Sequence, residues 1–511
     1  MDFVDKRVLV MGLGVHGGGL GVARWLLQQG ATVTVTDLAT PEALAVPVAA
    51  LNETAAALGT TVTYRLGSHD EVDLRAADLL VINPAVRPDS PWLALAADLG
   101  VAVETEMTLF LRRCPGPIFG ITGTKGKTTT ALMLAAMLRE QHPDTVVAGN
   151  LRVSALEALA EIGPQTPVVL ELSSFQLERL GAAGLSPAYS LVTNFSDDHL
   201  NWHGSRDAYA AAKRQIYWHQ ATNGVVALNA ADDGLIEYFP LYDGVTRHQG
   251  RTIWVAAGPH WSAARPRIPQ PTVRAADTTV EWRGEQVIWY DPLGHCGPPV
   301  PLYGEVLFHA QDIQLPGAHN RYNAMLAAAL ARAYGVTAPA IQTALRNFRG
   351  VEHRLELVRE LDGVRYINDT TATNPAAALV ALEALAPPLV LLAGGADKNL
   401  SFTALGAAIR QRVQSLVLLA GSATEQIQAA VAAAPGPEVP ILGPFDDLEA
   451  AVHAARGQAQ AGASVLLSPG CASFGMFRNE FHRGEEFRRI VAALAPEGSK
   501  PVRESRKRRK R

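Results

Sequence analysis

Ten residues about a quarter of the way along the chain, Gly120-Ile-Thr-Gly123-Thr124-Lys125-Gly126-Lys127-Thr128-Thr129, combine the groups that hold a phosphate. Glycines let the backbone turn tightly enough for successive N–H groups to face one anion, while Lys127 adds a cation and Thr128 a hydroxyl suited to magnesium. The spacing departs from GxxxxGK[ST], because Ile121 stands where the first glycine belongs. A strand beginning at Pro117 leads into the loop, and the helix predicted over Thr129–Arg139 points its positive end at the same anion. An earlier stretch, Gly12-Leu13-Gly14-Val15-His16-Gly17, is a literal GxGxxG after a strand, with Asp37 twenty residues beyond Gly17. That turn suits any diphosphate, whether of a nicotinamide dinucleotide or of a sugar nucleotide, and a simple dehydrogenase would leave the second loop unexplained.

Two further segments carry metal-friendly groups. Glu171 closes the apolar run Val168–Leu170 and opens Glu171-Leu-Ser-Ser-Phe-Gln176, and Asn194-Phe-Ser-Asp-Asp-His199 follows the strand Ser190–Thr193. In a parallel sheet the carboxyl ends of strands share one edge, so Glu171 and His199 are expected to approach the phosphates held by Lys127. A carboxylate, an imidazole and a hydroxyl suit hard magnesium ions. The plainer alternatives are a helix-start charge for Glu171 and a hydrogen-bonded core histidine for His199.

The elements that must position these residues alternate between strand and helix. Residues 7–11, 31–36 and 79–82 read as parallel strands of a first domain ending near Glu106, with Val22, Trp25, Leu26 and Leu27 on the first helix. Strands at 168–172, 190–193 and 224–228 continue a central domain, and between Phe239 and Pro316 the short alternations Thr279–Trp282 and Val287–Tyr290 read as hairpins of unassigned function. From Val351 the alternation returns, with strands at 364–367, 389–393, 415–419 and 464–467 between Ala-rich helices. The expected fold class is α/β: Rossmann-like N-terminal domain (1–105), P-loop-type centre (106–350), Rossmann-like C-terminal domain (351–498) and basic disordered tail (499–511).

Composition fits this scheme. With 511 residues, 48 % hydrophobic and 18 % charged, the chain is globular and long enough for about three domains. The start lacks a basic, cleavable signal, and no apolar run reaches the roughly 18 to 20 residues that span a bilayer, so a cytoplasmic protein without a membrane segment is expected. Three scattered cysteines give neither a disulfide framework nor a zinc site. Residues 503–511 bear seven basic residues and one acidic, on a body whose excess is acidic enough to leave a net −4, which argues against a general nucleic-acid binder.

Taken together, these motifs resemble the Mur ligase family of ATP-dependent amide-forming enzymes in peptidoglycan synthesis. The loop resembles the family's G-T-N-G-K-T-T, and Gly317-Ala-His319-Asn320-Arg-Tyr-Asn323 its G-x-H-N-x-x-N. His353-Arg354 and Asp369–Asn374 resemble two further signatures, while Glu171–Leu177, Gly394–Lys398 and Leu466–Ser473 resemble the branch that adds D-glutamate to UDP-N-acetylmuramoyl-L-alanine. The resemblance spans residues 7–495 and implies a cytoplasmic monomer that uses ATP and two magnesium ions. It implies catalytic and metal-associated roles for Thr128, Glu171, His199 and a carbamylated Lys213, with Lys127 on the phosphates. Gly123, Thr124, Lys125, Gly126, Thr129, Asn320, Asn323, Arg354 and Asp369 would face ATP. Gly14, Val15, His16, Asp37, Asn83 and Asn150 would face the UDP-sugar, and Thr373, Lys398 and Ser473 the D-glutamate carboxylates. On the residues alone, Lys213 reads as an exposed helix cation.

The chain departs from the family pattern at several positions. Lys125 replaces an asparagine, Asn83-Pro84-Ala85 replaces S-P-G, and Leu151-Arg152 follows Asn150 in place of Ile-Gly. The signature D-S-K-A-T-N is here Asp369-Thr370-Thr371-Ala372-Thr373-Asn374, without its lysine, for which Lys125 is a candidate substitute. Glu480, followed by Phe481, stands where a pocket phenylalanine is expected. A binding protein of the same fold without chemistry, a dehydrogenase, a sister ligase for another amino acid and a folate polyglutamate ligase remain alternatives.

Overall fold

The computed structural model describes residues 2–14, 18–149, 154–241, 248–257, 278–291, 304–315, 317–397 and 400–496. The chain falls into two compact units, Met1–Phe348 and Arg349–Arg511. Both are α/β, as expected, and between them they carry three sheets dominated by parallel strands. Among the described residues no helix is long and apolar enough to cross a membrane.

The first unit holds two sheets. In the first, β1 (Arg7–Met11), β2 (Thr32–Asp37), β3 (Thr63–Leu66), β4 (Leu79–Ile82) and β5 (Ala102–Thr105) run parallel in the order β3-β2-β1-β4-β5. The central strands β1 and β4 are apolar and buried on both faces, as a helix-covered parallel sheet requires. The order reverses between β1 and β4, so a crevice opens at their carboxyl ends. Helix Gly18–Gln28 starts hard against the turn there, because any Cβ on Gly19 would meet the Gly12 and Leu13 carbonyls.

The second sheet has nine strands: β6 (Ile118–Thr122), β7 (Val146–Gly149), β8 (Val168–Glu171), β9 (Tyr189–Val192), β10 (Val225–Asn229), β11 (Arg251–Ala257), β12 (Thr278–Arg283), β13 (Gln286–Tyr290) and β14 (Glu305–His309). The order is β14-β13-β12-β11-β10-β9-β6-β8-β7, parallel from β7 to β12. The two alternations expected as hairpins pair with each other, β12 against β13, around Gly284, and β14 adds antiparallel to β13. Helices Lys127–Arg139 and Ala318–Tyr334 cover one face of the sheet with a continuous apolar core. Helices Ser174–Ala182 and Arg206–Trp218 pack together, and their core runs on without a break into that of the first sheet. Helix Glu106–Arg113 lies in that shared core through Met107, Leu109 and Phe110, so the two sheets belong to one compact unit.

The second unit contains β15 (Glu356–Leu361), β16 (Val364–Asn368), β17 (Leu389–Gly394), β18 (Val413–Leu419), β19 (Ile441–Phe445) and β20 (Ser464–Leu467), ordered β15-β16-β20-β17-β18-β19. Only β15 is antiparallel. Separate apolar clusters fill the two faces, one under helices Pro375–Ala384 and Thr403–Arg412, the other under Leu448–Gln458 and Glu480–Ala493. The basic tail lies outside the described residues.

Candidate active site

In the second sheet β6 sits between β8 and β9, and the loops leaving these three neighbours meet at one edge. Gly126 adopts a left-handed conformation (φ 81°) as the N-cap of helix Lys127–Arg139, which begins two residues earlier than its apolar pattern suggests. Lys127 and Thr128 therefore form the first helical turn, with its unsatisfied N–H groups facing the loop. Gly123 (φ 142°) leaves no room for a Cβ beside Thr193 Oγ1, and a Cβ on Gly126 would lie 2.8 Å from Asn323 Oδ1. Asn323, which donates to Asn320 Oδ1 (3.2 Å), thus closes over the loop from helix Ala318–Tyr334.

Thr128 Oγ1 donates to Glu171 Oε2 at 2.6 Å, joining the helix that follows β6 to the end of β8. Glu171 is buried at 3 % exposure. Lys127 Nζ folds back on the Gly123 and Thr124 carbonyls (3.2 and 3.1 Å), the place where a phosphate oxygen would compete for it. Thr129 follows in the same turn and Thr124 Oγ1 donates to Ser196 O.

Lys213 differs most from the plain reading of its sequence. It lies at 2 % exposure on helix Arg206–Trp218, its Nζ donating to Gly123 O at 2.8 Å and lying 4.8 Å from the Tyr209 ring centre. Burial, then the nearby Lys127 charge, hold its pKa well below the usual amine range, against the opposing pull of Asp198 and Glu171. Burial also pushes the Tyr209 phenol up to about 12.

His199 is placed differently. It is the positive-φ N-cap (φ 50°) of the short helix Leu200–His203, with its ring 5.0 Å from that of Phe175 and 3.6 Å from Asp198. The structure brings Thr128, Glu171 and Lys213 under the loop, while the half-exposed His199 ring lies beside Phe175 and Asp198. Sequence reasoning missed Asn194, whose amide accepts from Lys125 N and donates to Lys125 O, both at 2.9 Å, while Thr193 Oγ1 donates to the same carbonyl at 2.6 Å. A polar pair after an apolar strand was the available signal. Lys125 itself is exposed.

At the first sheet's crevice, Gly12 (φ 94°) lies against Asn83, and the Asp37 carboxylate accepts from Gly14 N (3.1 Å) and Ala39 N (2.9 Å). Glu106, which marked only a boundary in the sequence, lines this crevice and accepts from Ser154 Oγ (2.6 Å) and Ala155 N (2.9 Å). Val15, His16 and Asn150 lie outside the described residues.

In the second unit, three loops leave the adjacent strands β16, β20 and β17. Asp369 is buried, accepting from Ser468 Oγ (2.7 Å) and Leu355 N (3.1 Å), and burial raises its pKa to about 6. Arg354 is exposed, and its charge partly offsets that rise. Thr373 lies in the turn after Asp369, Ser473 (5 % exposed) follows β20, and the Gly394–Asp397 loop bridges to it through Ala396 and Ala472. Lys398 lies outside the described residues.

The oxygen donors of Thr128 and Glu171 fit a hard divalent cation, and the glycine turn fits a nucleotide phosphate. Among the described residues no cluster of three or more His, Cys, Asp or Glu is poised to hold a metal.

Family profiles match in order along the chain: "Mur ligase MurD-like, N-terminal domain" at residues 6–105, "Mur ligase middle domain" at 121–242 and "Mur ligase, glutamate ligase domain" at 353–471. A Roseiflexus sp. (strain RS-1) protein named UDP-N-acetylmuramoylalanine--D-glutamate ligase is 51 % identical over 97 % of this chain and 100 % of its own. One of the same name from Treponema pallidum (strain Nichols) is 34 % identical over 96 % and 98 %. Among solved structures, UDP-N-acetylmuramate-alanine ligase MurC from Thermotoga maritima shares the fold at TM-score 0.54 and 19 % identity, covering 96 % of this chain and 100 % of that one. MurF from Acinetobacter baumannii does so at TM-score 0.52 and 17 % identity, over 81 % and 85 %.

Proposed function

The chain belongs to the Mur ligase family, and we propose from that premise that it joins D-glutamate to UDP-N-acetylmuramoyl-L-alanine in peptidoglycan precursor synthesis, as an ATP-dependent cytoplasmic monomer. The names of the full-length relatives support the substrates. The observation that carries the chemistry is the Thr128–Glu171 contact under the glycine loop, with Lys127 and buried Lys213 beside it.

An amide does not form from a free carboxylate at a useful rate, because oxide is a poor leaving group. The substrate carboxylate attacks the γ-phosphorus of ATP, ADP departs, and an acyl phosphate results. The D-glutamate amine then attacks the acyl carbon, phosphate leaves, and the amine gives up its proton. The backbone of Gly123, Thr124, Lys125, Gly126 and Thr129 holds the phosphates, and Lys127 swings from its loop carbonyls to neutralise developing charge. Thr128 and Glu171 would hold magnesium, which would supply charge neutralisation on the phosphoryl oxygens. A neutral Lys213 amine suits addition to CO2, giving a carbamate with loss of a proton; its oxygens and, by the family resemblance, His199 would help hold a second ion.

In this reading Asn320, Asn323, Arg354 and Asp369 face ATP, and Gly14, Val15, His16, Asp37, Asn83 and Asn150 face the UDP-sugar. Thr373, Lys398 and Ser473 hold the two D-glutamate carboxylates. The working division is residues 1–105 for the UDP-sugar, 106–350 for ATP and 351–498 for the amino acid.

The test is phosphate release with purified UDP-N-acetylmuramoyl-L-alanine, scanning D-glutamate, L-alanine, L-lysine and diaminopimelate. Release that requires both the UDP-sugar and D-glutamate is expected. Binding without ATP turnover would instead favour a non-catalytic protein, the reading suggested by Thr371 in place of lysine.

A further inference from the structure

We infer that Arg483 is a positioning residue for the amino-acid substrate, stapling the Asp369–Asn374 turn to the Cys471–Ser473 turn from beneath. Its guanidinium is 1 % exposed on helix Glu480–Ala493. Nε donates to Thr370 Oγ1 and Nη2 to Thr370 O, both at 2.9 Å, while Nη1 and Nη2 reach Cys471 O at 3.4 Å. Thr370 Oγ1 passes the bond on to Glu480 O at 2.8 Å. Among the described residues these hydrogen bonds end on neutral oxygens, while the Glu480 charge also acts on the guanidinium.

Two facts make this more than core packing. Burying a guanidinium is costly, and the charges of Cys471 and Glu480 offset that cost only in part; such a group persists where its fork fixes geometry. Burial lowers its pKa only to about 10, so it stays cationic at neutral pH. The two turns it joins follow adjacent strands β16 and β20, and Gly470 N also donates to Ala372 O (2.9 Å) between them. Thr373 and Ser473 ride on these turns, so the spacing of their hydroxyls depends on the fork. A buried positive charge below them also favours a dicarboxylate arriving from above. In the Asp369–Asn374 segment, where the family lysine is absent, Arg483 is a cation that hydrogen-bonds directly to Thr370.

This inference rests on the proposed amino-acid pocket, and the experiment separates the two. Wild type is first scanned for the amino acid that supports ATP turnover. Should that be one other than D-glutamate, the substrate reading fails and Arg483 variants are titrated with the amino acid found. Arg483→Met is expected to raise the KM for that amino acid by roughly ten- to a hundredfold with the KM for ATP unchanged, and Arg483→Lys to recover part of the loss. An unchanged amino-acid KM overturns the inference, as does a parallel rise of every KM together with a fall in the melting temperature. If Arg483→Met fails to fold, Arg483→Lys and Thr370→Val carry the same comparison.

Discussion

Buried charge sets the behaviour of single residues here. Lys213, read alone, is an ordinary exposed helix lysine, yet it sits at 2 % exposure with its amine on the loop carbonyl of Gly123. If it acts as a carbamate, Lys213→Ala should lose activity by roughly a hundredfold or more and regain part of it with added acetate or other short carboxylates. No rescue at any carboxylate concentration would remove the carbamate role. Lys125 projects from the loop while Asn194 grips its backbone, so Lys125→Asn tests whether its charge substitutes for the absent family lysine. Turnover should drop a few-fold, and unchanged kinetics would refute the substitution. Asp369 has a folded pKa of about 6 against an unfolded value near 3.9. Its contribution to stability is therefore complete below about pH 4 and disappears as pH rises through about 6, a change worth roughly 3 kcal/mol. Denaturation of wild type and Asp369→Asn across that window should show the gap shift toward the variant, and a pH-independent gap would contradict the assigned burial.

At the scale of elements, the strands visible in the sequence are mostly those in the sheet interiors. β4, β8, β10 and β17 are buried at every position and apolar over most of their length because both faces are covered, and such runs stand out in one dimension. The strands left out of the sequence reading include all six sheet edges, β3, β5, β7, β14, β15 and β19, together with β11. An edge such as β19 is mostly exposed and carries no run to detect. The phosphate loop was legible from its glycines, but what holds it was not. Asn194 follows β9 as any turn residue might in sequence, yet it makes two bonds to Lys125. Asn194→Ala should raise the KM for ATP by roughly tenfold and cost about 1 to 3 kcal/mol of stability. ATP titration and denaturation of the same variant measure both, and an unaffected KM would leave the clamp without a functional part.

For the whole molecule, the two compact units differ in independence. Residues 349 onward have their own sheet with an apolar cluster on each face, whereas the first two sheets share one core through Met107, Leu109 and Phe110. A fragment spanning residues 349–496 is therefore expected to fold cooperatively alone, seen as a single denaturation transition, while one ending at residue 105 should expose Phe110's partners and aggregate. A fragment of 349–496 without a transition would show that its core is insufficient. The sequence by itself determined the α/β class, the central strands and the loops after them, because chain direction puts each following loop at a parallel sheet's carboxyl edge. Tertiary structure alone decided which side chains meet and which charges are buried. Thr128 finds Glu171 across 43 residues and Arg483 finds Thr370 across 113, and no local pattern records desolvation by neighbours that distant.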